Sequence, residues 1–417
     1  NKLEVMGRIW GMDAVSKNGS TSQYGTIVAM DESPLNENLI IVGTDDGLIQ
    51  VTENSGQNWR QVSSFPGVPA NTYVNMVLPS QHDVNTIYAC FNDHKRGNFK
   101  PYVYKSTDMG RSWTSITANL PERGHSFAIA EDHVDPNLLF VGTEFGAFFS
   151  NDGGRNWQQF KAGLPITAVR DIAIQQREND LVLGTFGRGF YVLDDYSALR
   201  NIKDADLNSD AILFSVRDAL QFELSYPLGL PKQSFQGDDY YMGENLGSEA
   251  LITYYVKEKP KTLKDQRKEK EKELKKNGGN VMYPSYEQLQ AEQEEPASYL
   301  LFEITNDKGE MVRRIKKSVA KGVNRLSWDL RYAPKDPVSL NRSSPFYNPF
   351  GGGEPTGPKV YPGDYTVTMY MHQNGEKQAM GQPQTFKVKS LNNKVLPADD
   401  YKELADFAAK VDVLGGR

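Results

Sequence analysis

The chain has one cysteine, Cys90, in 417 residues, so no internal disulfide can form. It stands in the apolar run IYACF at 87–91, which reads as a strand with a small buried thiol. No run approaches the ~18 consecutive apolar residues of a membrane helix. Charge of one sign is missing too. Lys and Arg number 47 against 53 Asp and Glu, a net charge of −6 at pH 7 and a pI near 5.6. That balance argues against nucleic acid as a partner, the basic stretch 257–276 excepted. Histidine is scarce. The five, at 82, 94, 125, 133 and 372, show no metal-ligand spacing, so neither a metal nor a cofactor is expected. The glycine run GGGEP at 351–355 does not lie between a strand and a helix, which excludes a phosphate-binding loop. The opening residues NKLEV carry neither Met nor a signal peptide.

What is present is a repeat. TENSGQNW at 52–59, STDMGRSW at 106–113 and SNDGGRNW at 150–157 share the pattern Ser/Thr-x-Asp/Asn-x-Gly-x-x-Trp. A period of about 40–50 residues is the signature of a β-propeller, one four-stranded blade per repeat. Asp108 and Asp152 suit a tight turn whose backbone they cap, and Asn54 serves the same purpose in the first copy. Gly56, Gly110 and Gly154 supply the positive φ of that turn. Trp59, Trp113 and Trp157 open the next strand and are expected in equivalent buried positions between blades. Each copy follows a β-branched or aromatic run: LIIVGT at 39–44, TIYAC at 86–90, LLFVGT at 138–143. A fourth run, LVLGT at 181–185, leads instead into GRGFYVLD at 187–194. Blades are therefore expected over 24–66, 72–121, 125–165 and 168–195.

On these residues the chain resembles the Asp-box (bacterial neuraminidase repeat) propellers. More closely it is similar to large bacterial proteins with sortilin-like propellers, often called glycosyl hydrolases on repeat content. YGT at 24–26, VGTDDG at 42–47, VGTEFG at 141–146, AVRD at 168–171 and GTFGRGFYVLDD at 184–195 look like that group's closing blades. The resemblance spans about residues 20–196. It implies a C-terminal piece of a longer protein whose remaining sequence supplies further blades. It also implies a secreted, periplasmic or cell-surface bacterial protein, which the cysteine scarcity fits. Where the group usually has His in the last motif, this chain has Phe186, so a role for that His does not carry over.

The second half reads differently. Residues 197–250 are poorly periodic and are expected to be a linker with local structure, AILFS at 211–215 reading as a strand. Six short strand patterns lie within 251–390: 251–256, 299–304, 311–315, 322–330, 365–370 and 384–389. With Trp328 as an anchor they predict an immunoglobulin-like sandwich. GVNRLSW at 322–328 and PGDYTV at 362–367 resemble the Ig-like domain of the flagellar hook-capping protein. A Lys- and Glu-rich insertion, 257–295, is expected to project as a helical hairpin or arm. Residues 341–358 form a long loop, and 391–417 begin a helical segment. The fold class is thus all-β: about four propeller blades in 1–196, a linker, then a sandwich with a charged insertion.

Strand direction restricts the search for a site. The repeated turn joins the third and fourth strands, so loops between second and third strands lie on the opposite face. That face collects Asp45, Asp46, His94, Arg96, Glu144, Phe145 and Arg188, joined by Tyr73, His125, Arg170 and Asp171 from the starts of innermost strands. Propeller ligands bind where such loops converge. Two readings stay open. The leading one is a non-catalytic binding or scaffold protein, with a protein, peptide or glycan bound through Tyr73, His94, Arg96, His125, Phe145, Arg170 and Arg188. The alternative is a glycoside hydrolase with paired carboxylates among Asp45, Asp46, Glu144 and Asp171. In the plainer version the acids make the strand turns and pair with Arg170 and Arg188.

Overall fold

The computed structural model describes residues 4–5, 8–9, 25–202, 208–222, 243, 245–334, 357–391 and 398–415. The chain divides into two compact units, Asn1–Arg200 and Asn201–Arg417, and its fold is all-β.

The first unit opens with a small antiparallel pair, β1 (Glu4–Val5) and β2 (Arg8–Ile9). Four antiparallel meanders follow. The first is β3 (Ile27–Ser33), β4 (Asn36–Thr44), β5 (Ile49–Thr52) and β6 (Arg60–Val62). The second is β7 (Tyr73–Pro79), β8 (Ile87–Asn92), β9 (Tyr102–Ser106) and β10 (Thr114–Ser115). The third is β11 (Ser126–Glu131), β12 (Leu139–Thr143), β13 (Gly146–Ser150) and β14 (Gln158–Gln159). The fourth is β15 (Val169–Gln175), β16 (Asp180–Thr185) and β17 (Phe190–Leu193), with no fourth strand among the described residues. Innermost strands pack in succession, β3 on β7, β7 on β11 and β11 on β15. β8, β12 and β13 are buried along their whole length. Their sequences are continuous apolar runs because neighbouring sheets cover both faces. Cys90 lies inside β8, where burial pushes its thiol up to about 12.

The repeated turn joins the third and fourth strands of the first three meanders, with one hydrogen-bond pattern. The amides of Gly56, Gly110 and Gly154 donate to the hydroxyls of Thr52, Ser106 and Ser150 at 2.9, 2.8 and 2.9 Å. Asn54, Asp108 and Asp152 accept through Oδ1 from the amides of Asn58, Ser112 and Asn156 at 2.9, 2.8 and 3.0 Å. The three glycines have φ of 87°, 77° and 89°, the left-handed region that a Cβ disfavours. Burial alone would raise the Asp108 carboxyl. The hydrogen bonds from Ser112, Ser106 and the Arg111 amide outweigh it and pull the group down to about 2.

The tryptophans correct one expectation. Trp113 and Trp157 are 5% and 4% exposed, but Trp59 is 43% exposed. Trp113 meets Phe65 of the preceding meander edge to face at 5.7 Å. Trp157 donates from Nε1 to the carbonyl of Ile116, again in the preceding meander, at 2.8 Å. Burial of each ring therefore comes from the sheet before it. Among the described residues no four-stranded sheet precedes the first meander, so Trp59 lies over its own turn with its outer side in water.

Two buried acids tie the meanders together. Glu131 accepts from Ser80 Oγ at 2.9 Å, the Gln81 amide at 2.7 Å and Tyr88 Oη at 3.0 Å. Asp132 holds Arg200 by two hydrogen bonds of 2.7 Å and accepts from Tyr196 Oη at 2.6 Å. It also caps the Val134 and Asp135 amides, so Asp132, His133 and Asp135 belong to a turn and an ion pair.

In the second unit, β18 (Ala211–Leu213), β20 (Ala250–Val256) and β23 (Gly322–Trp328) form one sheet in the order β18-β20-β23. The other holds β19 (Ala219–Gln221), β21 (Tyr299–Asn306), β22 (Met311–Ser318), β24 (Gly363–Gln373) and β25 (Glu376–Ser390), in the order β19-β25-β24-β21-β22. Both sheets contribute to one core, with Trp328, Phe302, Tyr254, Tyr365 and Phe386 among its rings. Within the expected linker over 197–250 the strand read at 211–215 is β18, paired with β20, and the correction is β19, which pairs in parallel with β25. Short strands with single alternations leave little period to read in a sequence, and only their partners reveal them. Most of the loop expected at 341–358 lies outside the described residues.

Between β20 and β21 run α1 (Leu263–Lys276) and α2 (Tyr286–Glu294). Each starts with a capping box, Thr262 with Asp265 and Ser285 with Gln288. Arg267 bridges them, reaching Glu271 and Glu292 at 2.5 Å each, and no residue of either helix is buried. A last helix, α3, spans Ala398–Gly415.

Candidate binding cleft

The loops between second and third strands and the starts of innermost strands meet at one cleft of about 260 Å³. It is lined by His94, Phe99, Arg123, Gly124, His125, Glu144, Phe145 and Arg170. Five of these, His94, His125, Glu144, Phe145 and Arg170, stand among the candidates read from the sequence.

The loop from β8 to β9 forms one wall. Asp93, itself buried, fastens it by accepting from Arg96 Nε at 2.6 Å and Asn98 Nδ2 at 3.0 Å. Arg96 is spent on this: it also donates to the Ala70 carbonyl at 2.8 Å and Thr72 Oγ1 at 3.0 Å. Gly97 closes the turn with φ 78°. The ring of Phe99, 44% exposed, stands at the cleft with the Arg123 guanidinium 6.0 Å from its centre. Neither residue was reached from the sequence. The long loop between β8 and β9 that carries Phe99, and the stretch just before β11 that carries Arg123, were the available signals.

The floor is an aromatic and imidazole stack. His125 is 5% exposed, lies flat on His94 at 5.0 Å and meets Phe127 edge-on at 4.5 Å. Its Nε2 is 3.2 Å from Glu144 Oε2, while its Nδ1 is buried without a hydrogen-bond partner. Burial first, then His94 and Arg170, depress its pKa to about 4. At neutral pH it is therefore uncharged, with Nε2 facing Glu144. His94 is held through Nδ1 by Asn92 Oδ1 at 2.6 Å.

Arg170 departs from the expected ion pairing. Its guanidinium lies 3.8 Å from the centre of the Phe127 ring and 5.1 Å from that of Phe186. No carboxylate among the described residues pairs with it. The sequence pattern placed it beside acids; the ring of Phe127 in β11 and that of Phe186 in the turn after β16 flank it instead.

The remaining candidates lie outside this cleft. Asp45 Oδ1 accepts from the amides of Gly25 and Thr26 at 2.7 and 2.9 Å. Asp46 accepts from the Thr44 hydroxyl. Asp171, at a bulge in β15, accepts from the Ile172 amide at 2.9 Å. Tyr73 lies under Lys95 Nζ at 5.6 Å. Arg188 is exposed in the turn between β16 and β17.

No protein-family model and no curated protein matches this chain. Solved structures with a similar fold include YCF48 bound to D1 peptide, at 17% identity over 42% of this chain and 52% of that one, TM-score 0.33. An ancestral GH74 enzyme matches at 15% identity over 87% of this chain and 41% of its own, TM-score 0.34. The GH74 xyloglucanase from Xanthomonas campestris matches at 13% identity over 86% and 45%, TM-score 0.35. The chain spans about half the length of these structures or less. No helix among the described residues is long and apolar enough to cross a membrane, which leaves β-barrels unaddressed.

Proposed function

We propose that this chain is a binding or scaffold protein of the secreted or cell-envelope class, which takes a ligand in the Phe99–Arg123–His125–Phe145–Arg170 cleft. The supporting observation is the state of the four acids on which glycoside chemistry would rest. Asp45 and Asp171 cap backbone amides, Asp46 serves a threonine hydroxyl, and Glu144 faces His125 Nε2 at 3.2 Å. A hydrolase needs one carboxyl to protonate the leaving oxygen and another to attack or activate water, facing each other across a cleft. Only Glu144 of the four lines the cleft. Arginine donors and phenylalanine rings dominate the rest of it, which suits recognition.

Retention of the protein on a peptide array, beside turnover of a glycan panel, tests this. The expected result is peptide retention lost in Phe145→Ala and no turnover. Turnover abolished by Glu144→Gln or Asp171→Asn would establish the hydrolase instead.

A further inference from the structure

We infer that the hairpin of α1 and α2 docks on a membrane surface that carries anionic lipid, with its tip among the headgroups and its lysines against their phosphates. This surface belongs to the second unit, and the inference does not depend on what the cleft binds.

The tip of the hairpin leaves apolar side chains in water. Residues 274–286 hold Leu274, Met282, Tyr283 and Tyr286, which are 48, 84, 87 and 76% exposed. Scattered single side chains of this kind are ordinary on a surface, but several on one short turn mark a contact site. The turn is a formed one. The amides of Asn277 and Gly279 donate to the carbonyls of Glu273 and Leu274 at 3.0 and 2.8 Å, and Gly278 takes φ 74°. The capping box of Ser285 and Gln288 then starts α2. Met282 and the two tyrosines are therefore presented from a frame closed at both ends.

The second observation is where the charge lies. Lys264, Lys268, Lys272 and Lys276 recur at four-residue spacing along α1, a stripe with ~6 Å of helix between successive positions. All four are exposed. The acids of the hairpin are mostly occupied nearer its base: Glu269 by Lys261, Glu271 and Glu292 by Arg267, and Glu295 by the Leu263 amide. Residues 274–286 contain no acid. Glu273 and Glu287 flank that stretch, against Lys272, Lys275 and Lys276. The tip is thus cationic in a protein of net charge −6.

The two observations together select the partner. A soluble polyanion would satisfy the lysines and leave Met282 and the tyrosines in water. A protein would need an apolar pocket for the tip beside an acidic face matched to ~21 Å of α1. A bilayer interface supplies both at once. Lysine stems run along apolar surface with their ammonium groups at the phosphates, and tyrosine buries its ring while its hydroxyl stays wet.

The test uses the 417-residue protein carrying Asn280→Cys, labelled with the environment-sensitive fluorophore NBD. Cys90 is buried, so the label goes to position 280. Vesicles are phosphatidylcholine alone or with about one part in three of phosphatidylglycerol. Cosedimentation of unlabelled protein gives the affinity. The expected result is a blue-shifted, brighter NBD emission with the anionic vesicles only. Lys272→Gln, Lys275→Gln and Lys276→Gln combined should weaken binding at least about tenfold, since each charge near such a surface is worth roughly fivefold. Arginine at the same three positions should restore it, which separates charge from misfolding. Tyr283→Ser with Met282→Ser should also weaken binding, and Phe145→Ala in the cleft should leave it unchanged. Equal binding to neutral vesicles, or no binding at millimolar lipid, overturns the inference. So does binding that survives replacement of residues 258–297 by a short Gly-Ser link. Retention on heparin without vesicle binding would assign the stripe to a soluble polyanion instead.

Discussion

Replacing Trp113 and Trp59 separately by alanine tests whether the repeat acts as a stack of dependent sheets. The two rings begin from the same local pose. A methyl group added at the turn glycine would meet Trp113 Cζ2 at 3.4 Å and Trp59 Cζ2 at 3.8 Å. What differs is the sheet behind. Trp113 is 5% exposed, packs on Phe65 and donates from Nε1 to the Gly110 carbonyl at 3.2 Å. Removing it leaves a hole lined by the first and second meanders, so Trp113→Ala should cost about 3–5 kcal/mol. Trp59 is 43% exposed, and the gap it leaves opens to solvent. Losing part of one ring's transfer free energy without a cavity, Trp59→Ala should cost roughly 1–2 kcal/mol. Urea unfolding followed by far-UV circular dichroism measures both, because it does not depend on tryptophan emission. A Trp59→Ala loss equal to that of Trp113→Ala would refute the idea that burial is supplied by the preceding sheet.

Other expectations concern charge and the arm. His125 is held neutral in the fold, with a pKa near 4 against 6.5 when unfolded. Its contribution is complete above pH 6.5 and is lost as pH falls toward 4, by up to about 3 kcal/mol at ~1.4 kcal/mol per pH unit. A stability–pH profile that stays equally steep in His125→Gln would contradict this. Asp108→Ala should cost about 1 kcal/mol by uncapping its turn, whereas Asn54→Asp should change the unfolding midpoint little, since the equivalent backbone amide donates to an Oδ1 of either side chain. Bridging Lys257 to Ser298 with a short Gly-Ser link should leave the melting temperature of the second unit nearly unchanged. The helices it removes bury no residue, and exposed ion pairs are each worth only ~0.3–0.5 kcal/mol. A fall of several degrees would show that the arm is part of the core.

The repeat was legible in the sequence because its turn is a local object. Ser or Thr, Asp or Asn, and Gly at fixed offsets satisfy one another's hydrogen bonds within five residues, whatever lies around them. The strand runs were legible for a related reason: sheets covered on both faces demand continuous apolar residues. By contrast, β19 is three residues long and was read as linker, because its identity lies in its partner, whereas the apolar run at 211–215 marked β18. The cleft divides in the same way. The topology brought His94, His125, Glu144, Phe145 and Arg170 to one face, and strand direction could be read from the motif. Whether Arg170 meets an acid or two rings, whether Trp59 is covered, and whether Asp45 is spent on amides are matters of distance between segments far apart in the chain. Only the tertiary structure sets those distances, and it leaves Arg123 and Arg170 without a carboxylate partner among the described residues and turns Asp45 and Asp171 to backbone amides.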